Sequence, residues 1–418
     1  MKKHALQIFR AALAAADPAK AVLRHLSVDG DTLTAGRRHY KLSAFDRIQV
    51  IGAGKASAAM ASALERLLGR RIAGGLVNVP DGTTTRLRRI ELNVAGHPIP
   101  DARGERGALR MLEIARQAGP RDLLICVISG GASALLPARA VGLTLAVKRA
   151  ITQQLLKAGA NIHELNTVRK NLSRIKGGRL AAAAYPAKVL GLILSDVIGD
   201  NLDVIGSGPT VADRTSVRDA HAVLKKYGFK VVGDWTTPTQ TPKLRGVQNL
   251  IVGSNRLAID AAEVKARELG YRVSVLSTTV EGEAREVASM HASLVKRVLN
   301  SNRRPACILS GGETTVTVRG KGLGGRNQEF VLAAAIELAG CGPVTIFSAG
   351  TDGLDGPTDA AGAIADSRTI GQATKLGLDP RAYLNDNNSY RFFERLDGLV
   401  KTGPTGTNVM DVRILLVP

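Results

Sequence analysis

The chain has 418 residues, 44% of them hydrophobic and 3% aromatic, which is enough for two or three domains with real cores and excludes a disordered chain or a coiled coil. Fifty-seven Lys and Arg against 36 Asp and Glu give a net charge of +21, a field that draws anions; no block of five cations occurs, and aromatics are too few for the stacking platform of a single-strand binder. Cys126, Cys307 and Cys341 are far apart without metal-ligand spacing, which points to a reducing, cytoplasmic setting, and no apolar run is long enough to span a membrane.

Met1 to Ala16 reads as an amphipathic helix. After a polar stretch, a strand over Arg47–Ile51 enters Gly52-Ala53-Gly54-Lys55-Ala56-Ser57, and a helix of small residues runs to about Leu68. Strand, glycine turn and helix is the arrangement that binds phosphate at a helix N-terminus, and Lys55 inside the turn can reach a phosphoryl oxygen. The competing reading is a surface lysine at a helix start. As a dinucleotide fingerprint the turn is weak, because Asn78 stands where an acid should hold a ribose.

Gly96-His97-Pro98 is a rigid turn, His97 reads more readily as a packed histidine than as a ligand, and Asp101 caps a helix over 102–117. The apolar strand Asp122–Ile128 ends in Ser129-Gly130-Gly131, a second candidate cradle. Helices follow over 144–158 and 161–184, where Arg169, Lys170, Arg174, Lys176 and Arg179 read mainly as a solvated cationic face. The strand Val189–Leu194 ends at Asp196, placed for a metal or for proton abstraction, or else for capping the next segment. A helix near 216–227 precedes a polar, proline-bearing segment, 233–246, which reads as the domain linker.

Beyond it the alternation resumes: strand Asn249–Val252, a helix to Leu269, strand Arg272–Leu276, a helix from Glu283. A strand over Ala306–Leu309 ends in Ser310-Gly311-Gly312, and Thr314–Val318 reads as another strand. The loop with Lys321, Gly324, Gly325 and Arg326 opens a helix at Asn327, so glycine backbone, helix dipole and whole charges combine as a phosphate site. A solvated hairpin with ordinary cations is the alternative. After a strand over Val344–Phe347, a glycine-rich loop carries Asp352, Asp355 and Asp359, which can hold Mg2+ or orient a hydroxyl.

These motifs come in a family's order. Gly52-Ala53-Gly54-Lys55-Ala56, Gly96-His97-Pro98, Ser129-Gly130-Gly131-Ala132-Ser133, Asn166-Thr167-Val168-Arg169-Lys170 with Lys176-Gly177-Gly178-Arg179, Leu194-Ser195-Asp196-Val197, Ser310-Gly311-Gly312-Glu313-Thr314, Gly324-Gly325-Arg326-Asn327-Gln328-Glu329 and Thr402-Gly403-Pro404-Thr405-Gly406-Thr407-Asn408 together resemble the class II glycerate kinases, whose C-terminal part is the MOFRL domain. Ile198 and Asn171 depart from the pattern, where proline and histidine are usual. The resemblance implies two α/β/α domains, 1–236 and 237–418 with the MOFRL region over about 305–412, mostly parallel sheets, and an active-site cleft between the domains. It implies transfer from ATP, with Mg2+, to the 2-hydroxyl of D-glycerate, with no nucleic-acid or membrane partner, and it puts the family's active-site lysine and arginine on Lys55 and Arg326.

Phosphoryl transfer chiefly needs positioning and charge compensation. The expectation is therefore that Gly52, Gly54, Ser129, Gly130, Gly131, Ser310, Gly311, Gly312, Gly324, Gly325 and Asn327 hold phosphates, and that Lys55 and Arg326 face the transferred group. Asp196 orients the hydroxyl or metal, Arg169 or Arg174 takes the substrate carboxylate, and Asp352 or Asp355 meets Mg2+ through water. A nicotinamide-dependent hydroxypyruvate reductase and a basic anion- or nucleic-acid-binding protein are the alternatives.

Overall fold

A computed structural model describes residues 1–229, 244–301 and 304–418. The expected domain boundary at 236/237 and most of the expected linker lie outside these residues. The chain divides into two units, Pro18–Val252 and Met1–Asp17 with Gly253–Pro418, so the first helix, α1 (Lys2–Ala16), belongs with the C-terminal half.

In the N-terminal unit the apolar runs become β1 (Arg47–Ala53), β2 (Ile72–Pro80), β3 (Glu91–Ala95), β4 (Asp122–Ile128), β5 (Lys188–Leu194) and β6 (Val247–Gly253). They form one sheet in the order β3-β2-β1-β4-β5-β6, with the pairs among β1 to β5 parallel. The strand read as the start of the second domain, β6, is thus the edge of the first sheet. All seven residues of β4 are buried, as befits a parallel strand covered on both faces. Helices α2 (Ser57–Leu68) and α3 (Ala102–Arg116) follow β1 and β3, and Asp101 caps α3 by accepting the Gly104 N–H at 2.9 Å. The strand order reverses between β1 and β4, which puts a crevice at the carboxyl ends of those two strands.

Further helices are α4 (Leu145–Lys157) and α5 (Ile162–Asn171); the expected single helix over 161–184 breaks after Asn171 and resumes only at Arg179–Ala183. Gly177 and Gly178, at φ 58° and 78°, make that break. The polar stretch before β1 contains a three-stranded antiparallel sheet, Leu26–Asp29, Thr32–Ala35 and Arg38–Lys41.

The C-terminal unit contains α6 (Asn255–Glu268), α7 (Ala284–Leu299), α8 (Arg326–Glu337) and a sheet of β7 (Arg272–Val275), β8 (Ala306–Gly312), β9 (Thr345–Gly350), β10 (Gly362–Asp366), β11 (Leu399–Val400) and β12 (Asp411–Val417). Its order is β7-β8-β12-β9-β10-β11. Only β7–β8 is parallel; the other four pairs are antiparallel, which corrects the expectation of mostly parallel sheets for this half. The end of the chain supplies the reason, since β12 inserts between β8 and β9 against both, and β9 returns to β10 through a loop without a crossover helix. With β12 beside β8, Thr314–Val318 is not a strand either: Thr315 keeps a single bridge to Glu283, whose side chain also takes the Thr317 N–H at 3.0 Å.

Residues 327 to 335 of α8 are all buried, so this helix is the centre of its core, with Phe330 against the His291 ring at 5.2 Å. The apolar face of α1, Ala5, Ile8, Phe9 and Ala12, has the spacing of an amphipathic helix; Phe9 meets Phe347 at 4.9 Å. No helix among the described residues is long and apolar enough to cross a membrane.

Candidate active site

At the carboxyl ends of β1, β3, β4 and β5 three chemically active side chains meet, Lys55, His97 and Asp196. A Cβ on Gly131 would stand 2.7 Å from Nε2 of His97 and 3.4 Å from Cγ of Lys55, and a Cβ on Gly130 would overlap Oδ2 of Asp196. Glycine is needed at both positions for this approach, Gly131 also having φ +84°. Lys55 is exposed, and its side chain makes no hydrogen bond or ion pair among the described residues. Its charge is felt on both sides. Burial, then Lys55, lowers the pKa of His97, while burial raises that of Asp196 against the opposing pull of Lys55. The result is a free ammonium beside a neutral-leaning imidazole and a carboxylate with raised proton affinity, a set suited to handling a hydroxyl near an anion.

Of the expected cradles, the backbone separates one from the rest. The N–H groups of Gly130 and Gly131 make no hydrogen bond among the described residues, next to Lys55. By contrast Gly52 lies within β1, the N–H of Gly54 goes to Asn78 O at 3.2 Å and that of Lys55 to Gly130 O at 2.9 Å. Ser129 is a brace: its Oγ accepts the Ala56 N–H at 3.0 Å and lies 3.1 Å from Ser57 Oγ. The first glycine turn packs α2 onto the sheet and presents Lys55; the turn after β4 keeps its donors open.

The cations read as a solvated face are mostly interior. Lys176 is fully buried, with Nζ donating to Ser133 O at 2.8 Å and Ser133 Oγ at 3.0 Å, and Arg179 donates to Lys170 O at 2.8 Å. Lys170 pairs with Asp203 at 3.1 Å and Asp213 at 3.7 Å. Arg169 lines a cavity of about 400 Å³ together with His97, Gly131, Lys148 and Lys176, whereas Arg174 does not line it. Sequence reasoning missed Lys148 and undervalued His97; the one available signal was a lysine on the core-facing side of an amphipathic helix.

In the C-terminal unit Arg326 is held by Asp411, Nε to Oδ2 at 2.7 Å and Nη2 to Oδ1 at 2.9 Å, and by Glu313 at 3.0 Å. Burial alone would lower its pKa, but Asp411 and Glu313 more than offset that, so the guanidinium stays charged. The helix N-terminus behind it is already capped: Asp355 accepts the N–H of Asn327 at 3.1 Å and of Gln328 at 2.9 Å. Burial, reinforced by Asp411 and opposed by those two N–H groups and Arg326, pushes the Asp355 pKa up to about 7. Asp352 closes its own turn by accepting the Leu354 N–H at 3.1 Å. Both oxygens of Asp355 and one of Asp352 are thus engaged, and among the described residues no three His, Cys, Asp or Glu side chains are grouped to hold a metal.

The glycine loop before α8 is likewise filled by protein. Asn387 Oδ1 accepts from the N–H of Arg319 at 2.8 Å and Gly320 at 3.0 Å, Asp386 from Lys321 at 2.9 Å, and Asn388 from Leu323 at 3.1 Å. A Cβ on Gly324 would overlap Ser389 and one on Gly325 would overlap Asp355. Ser310, Gly311 and Gly312 are inside β8, paired with Arg413, Val412 and Asp411. Ser129-Gly130-Gly131 and Ser310-Gly311-Gly312 therefore share letters but not surroundings.

Residues 4–234 match the family model described as a domain of unknown function, DUF4147, and residues 306–411 match the MOFRL family. The chain is 40% identical to the D-glycerate 2-kinase of Thermotoga maritima, over all of this chain and 98% of that protein. It is also 40% identical to a putative hydroxypyruvate reductase of Agrobacterium vitis, over 98% of this chain and 93% of that one. The crystal structure of a glycerate kinase from Thermotoga maritima matches with a TM-score of 0.90 and 39% identity, covering 100% of this chain and 99% of the other.

Proposed function

The chain belongs to the glycerate kinase family, with a DUF4147 part followed by a MOFRL part, and on that premise we propose that it transfers the γ-phosphoryl group of ATP to the 2-hydroxyl of D-glycerate. The observation that carries this reading is the likeness to a D-glycerate 2-kinase, 40% identical over all of this chain and 98% of that protein.

The residues fit the demands of the reaction. A transferring phosphoryl group spreads negative charge over its oxygens, and fixed donors and cations stabilise it without reorganising. Lys55 and the open N–H groups of Gly130 and Gly131 are such donors. Asp196, with its raised proton affinity, is the group to orient the 2-hydroxyl and receive its proton. Arg326, locked by Asp411, is the cation that the C-terminal unit contributes in this reading. Mg2+ is usually held by one or two carboxylates plus the nucleotide's phosphates, where it neutralises charge, and Asp196 is the carboxylate here that suits it.

A coupled assay of ADP release with D-glycerate, with the product identified as 2- or 3-phosphoglycerate, tests the reading. Lys55→Ala and Arg326→Ala, both folded, should each lower kcat by about 10²-fold or more. Near-normal turnover in both would sink the assigned roles.

The name carried by the Agrobacterium relative makes reduction of hydroxypyruvate the second reading. Against it, Asn78 at the end of β2 is buried and donates to Gly104 O at 2.9 Å and Leu135 O at 2.7 Å, so it is a brace where a ribose-binding acid would be required. NADH oxidation with hydroxypyruvate distinguishes the two.

A further inference from the structure

The cavity beside Gly131 is lined by four basic side chains and by no acidic one. Lys148, Arg149, Arg169 and Lys176 all face it. Lys176 is answered by the oxygens of Ser133, but the Arg169 side chain is not: it is half-buried, and neither a hydrogen bond nor an ion pair reaches its guanidinium among the described residues. Its pKa is lowered by burial with no carboxylate to offset it. Lys148 reaches only Pro137 O, at 3.3 Å; burial lowers its pKa to about 7 against the opposing field of Glu105, an acid itself paired with Arg139 at 3.0 Å. A half-buried guanidinium with no protein acceptor is open to a ligand, and a carboxylate is its two-pronged complement.

Two further features define what fits. Gly131 belongs both to this wall and to the meeting point of Lys55 and His97, so an acid seated on Arg169 extends toward the reacting cluster. The outer wall is apolar, and its rim residues Ile99 and Leu156 are 56% and 54% exposed. A volume of about 400 Å³ is that of a pocket for a ligand well beyond a three-carbon acid.

Building on the kinase reading, we propose that this cavity is the acceptor pocket, that Arg169 backed by Lys148 grips the acceptor carboxylate, and that the apolar rim admits 2-hydroxycarboxylates with a longer hydrocarbon tail than glycerate. Arg174, outside the cavity, has no part in it.

Calorimetric titration of the nucleotide-free protein with D-glycerate, with (R)-2-hydroxyhexanoate and with a non-hydrolysable ATP analogue tests this. Wild type should bind the two acids within about tenfold of each other. R169Q should weaken both by about 30-fold or more, the size of a lost charge-assisted pair, and leave the analogue within about threefold. L156W, at an exposed position that folding tolerates, should weaken the long acid at least about tenfold more than glycerate. Unchanged acid affinity in folded R169Q, loss of the analogue instead of the acids, or no binding of the long acid by wild type overturns the proposal. Turnover separates the two failures: if wild type makes 2-phosphoglycerate and R169Q keeps its KM, only the pocket assignment falls, whereas no turnover by wild type removes the kinase reading beneath it.

Discussion

Asp411 grips Arg326 at both edges of its guanidinium, Oδ2 to Nε at 2.7 Å and Oδ1 to Nη2 at 2.9 Å, while being fully buried itself. The same carboxylate receives Asn327 Nδ2 at 3.0 Å and Arg413 Nη2 at 3.3 Å, and Arg413 lies 5.5 Å from the Phe330 ring centre, so the first residue of β12 ties the start of α8 to the core. Asp411→Asn keeps the shape but takes from Arg413 the carboxylate beside it and leaves Arg326 with Glu313 alone. Breaking a buried pair on one side costs about 3–5 kcal/mol, and a reoriented Arg326 should cost about 10²-fold in kcat. Urea unfolding and steady-state kinetics on the same preparation check both; wild-type values in both would show that Asp411 neither supports the core nor aims Arg326.

The buried His291 gives a pH dependence with a definite sign. Its Nδ1 lies 2.7 Å from Val287 O and can only donate there, so Nε2, 2.8 Å from Ser310 Oγ, is left to accept: the neutral ring. Burial lowers its pKa to about 4, with Arg413 adding to the effect. A base whose folded pKa lies below its unfolded value stabilises the fold fully above the unfolded value, about 6.5, and that contribution is lost as pH falls toward 4. The loss amounts to at most about 3 kcal/mol. His291→Gln should therefore lower stability at pH 7 yet flatten its decline between about pH 6.5 and 4, read from denaturant midpoints across that range. Parallel curves for the variant and wild type would exclude His291 as the titrating group.

What could be read from the sequence, and what could not, follows from where each residue's partner lies. The strand Asp122–Ile128 was legible because a parallel strand buried on both faces is a continuous apolar run, and Lys55 because a cation among turn residues is conspicuous. Thr314–Val318 misled because its alternation is a local property, whereas the place beside Ala306–Gly312 went to Asp411–Val417, about a hundred residues away. Lys176 and Arg179 resembled a wet surface because the carbonyls that receive them come from Ser133 and Lys170, acceptors that every residue carries and no pattern marks. The glycines before Arg326 invited an anion for the same reason: nothing nearby announces Asp386, Asn387 and Asn388.

Asn387 turns that last point into a prediction. It holds the loop through two N–H groups, at 2.8 and 3.0 Å, donates to Glu329 at 3.0 Å and adopts φ +53°, a conformation asparagine tolerates better than alanine. Asn387→Ala should cost about 3 kcal/mol, from two orphaned donors and backbone strain. Because the loop leads directly into Arg326, activity should fall as well, and amide exchange of residues 319–323 should speed up. Unchanged exchange there would mean the loop is held by something else.

Gly130 offers the sharpest test of the N-terminal cluster. Its backbone is not in the left-handed region, so alanine is conformationally acceptable; the obstacle is the carboxylate of Asp196, which a methyl group would overlap. A side-chain end can turn away at small cost, so Gly130→Ala should fold with stability within about 1 kcal/mol of wild type. Its consequence is chemical: Asp196 leaves its place beside Lys55, and under the proposed role the acceptor hydroxyl would lose the group that orients it. Misplacement of about 1 Å commonly costs around 10²-fold, which should appear in kcat with little change in the affinity for an ATP analogue. Asp196→Asn should lose a similar factor, and combining the two should cost little more than either alone, since both remove the same carboxylate. Multiplying losses would show that Gly130 acts on turnover by a route other than Asp196.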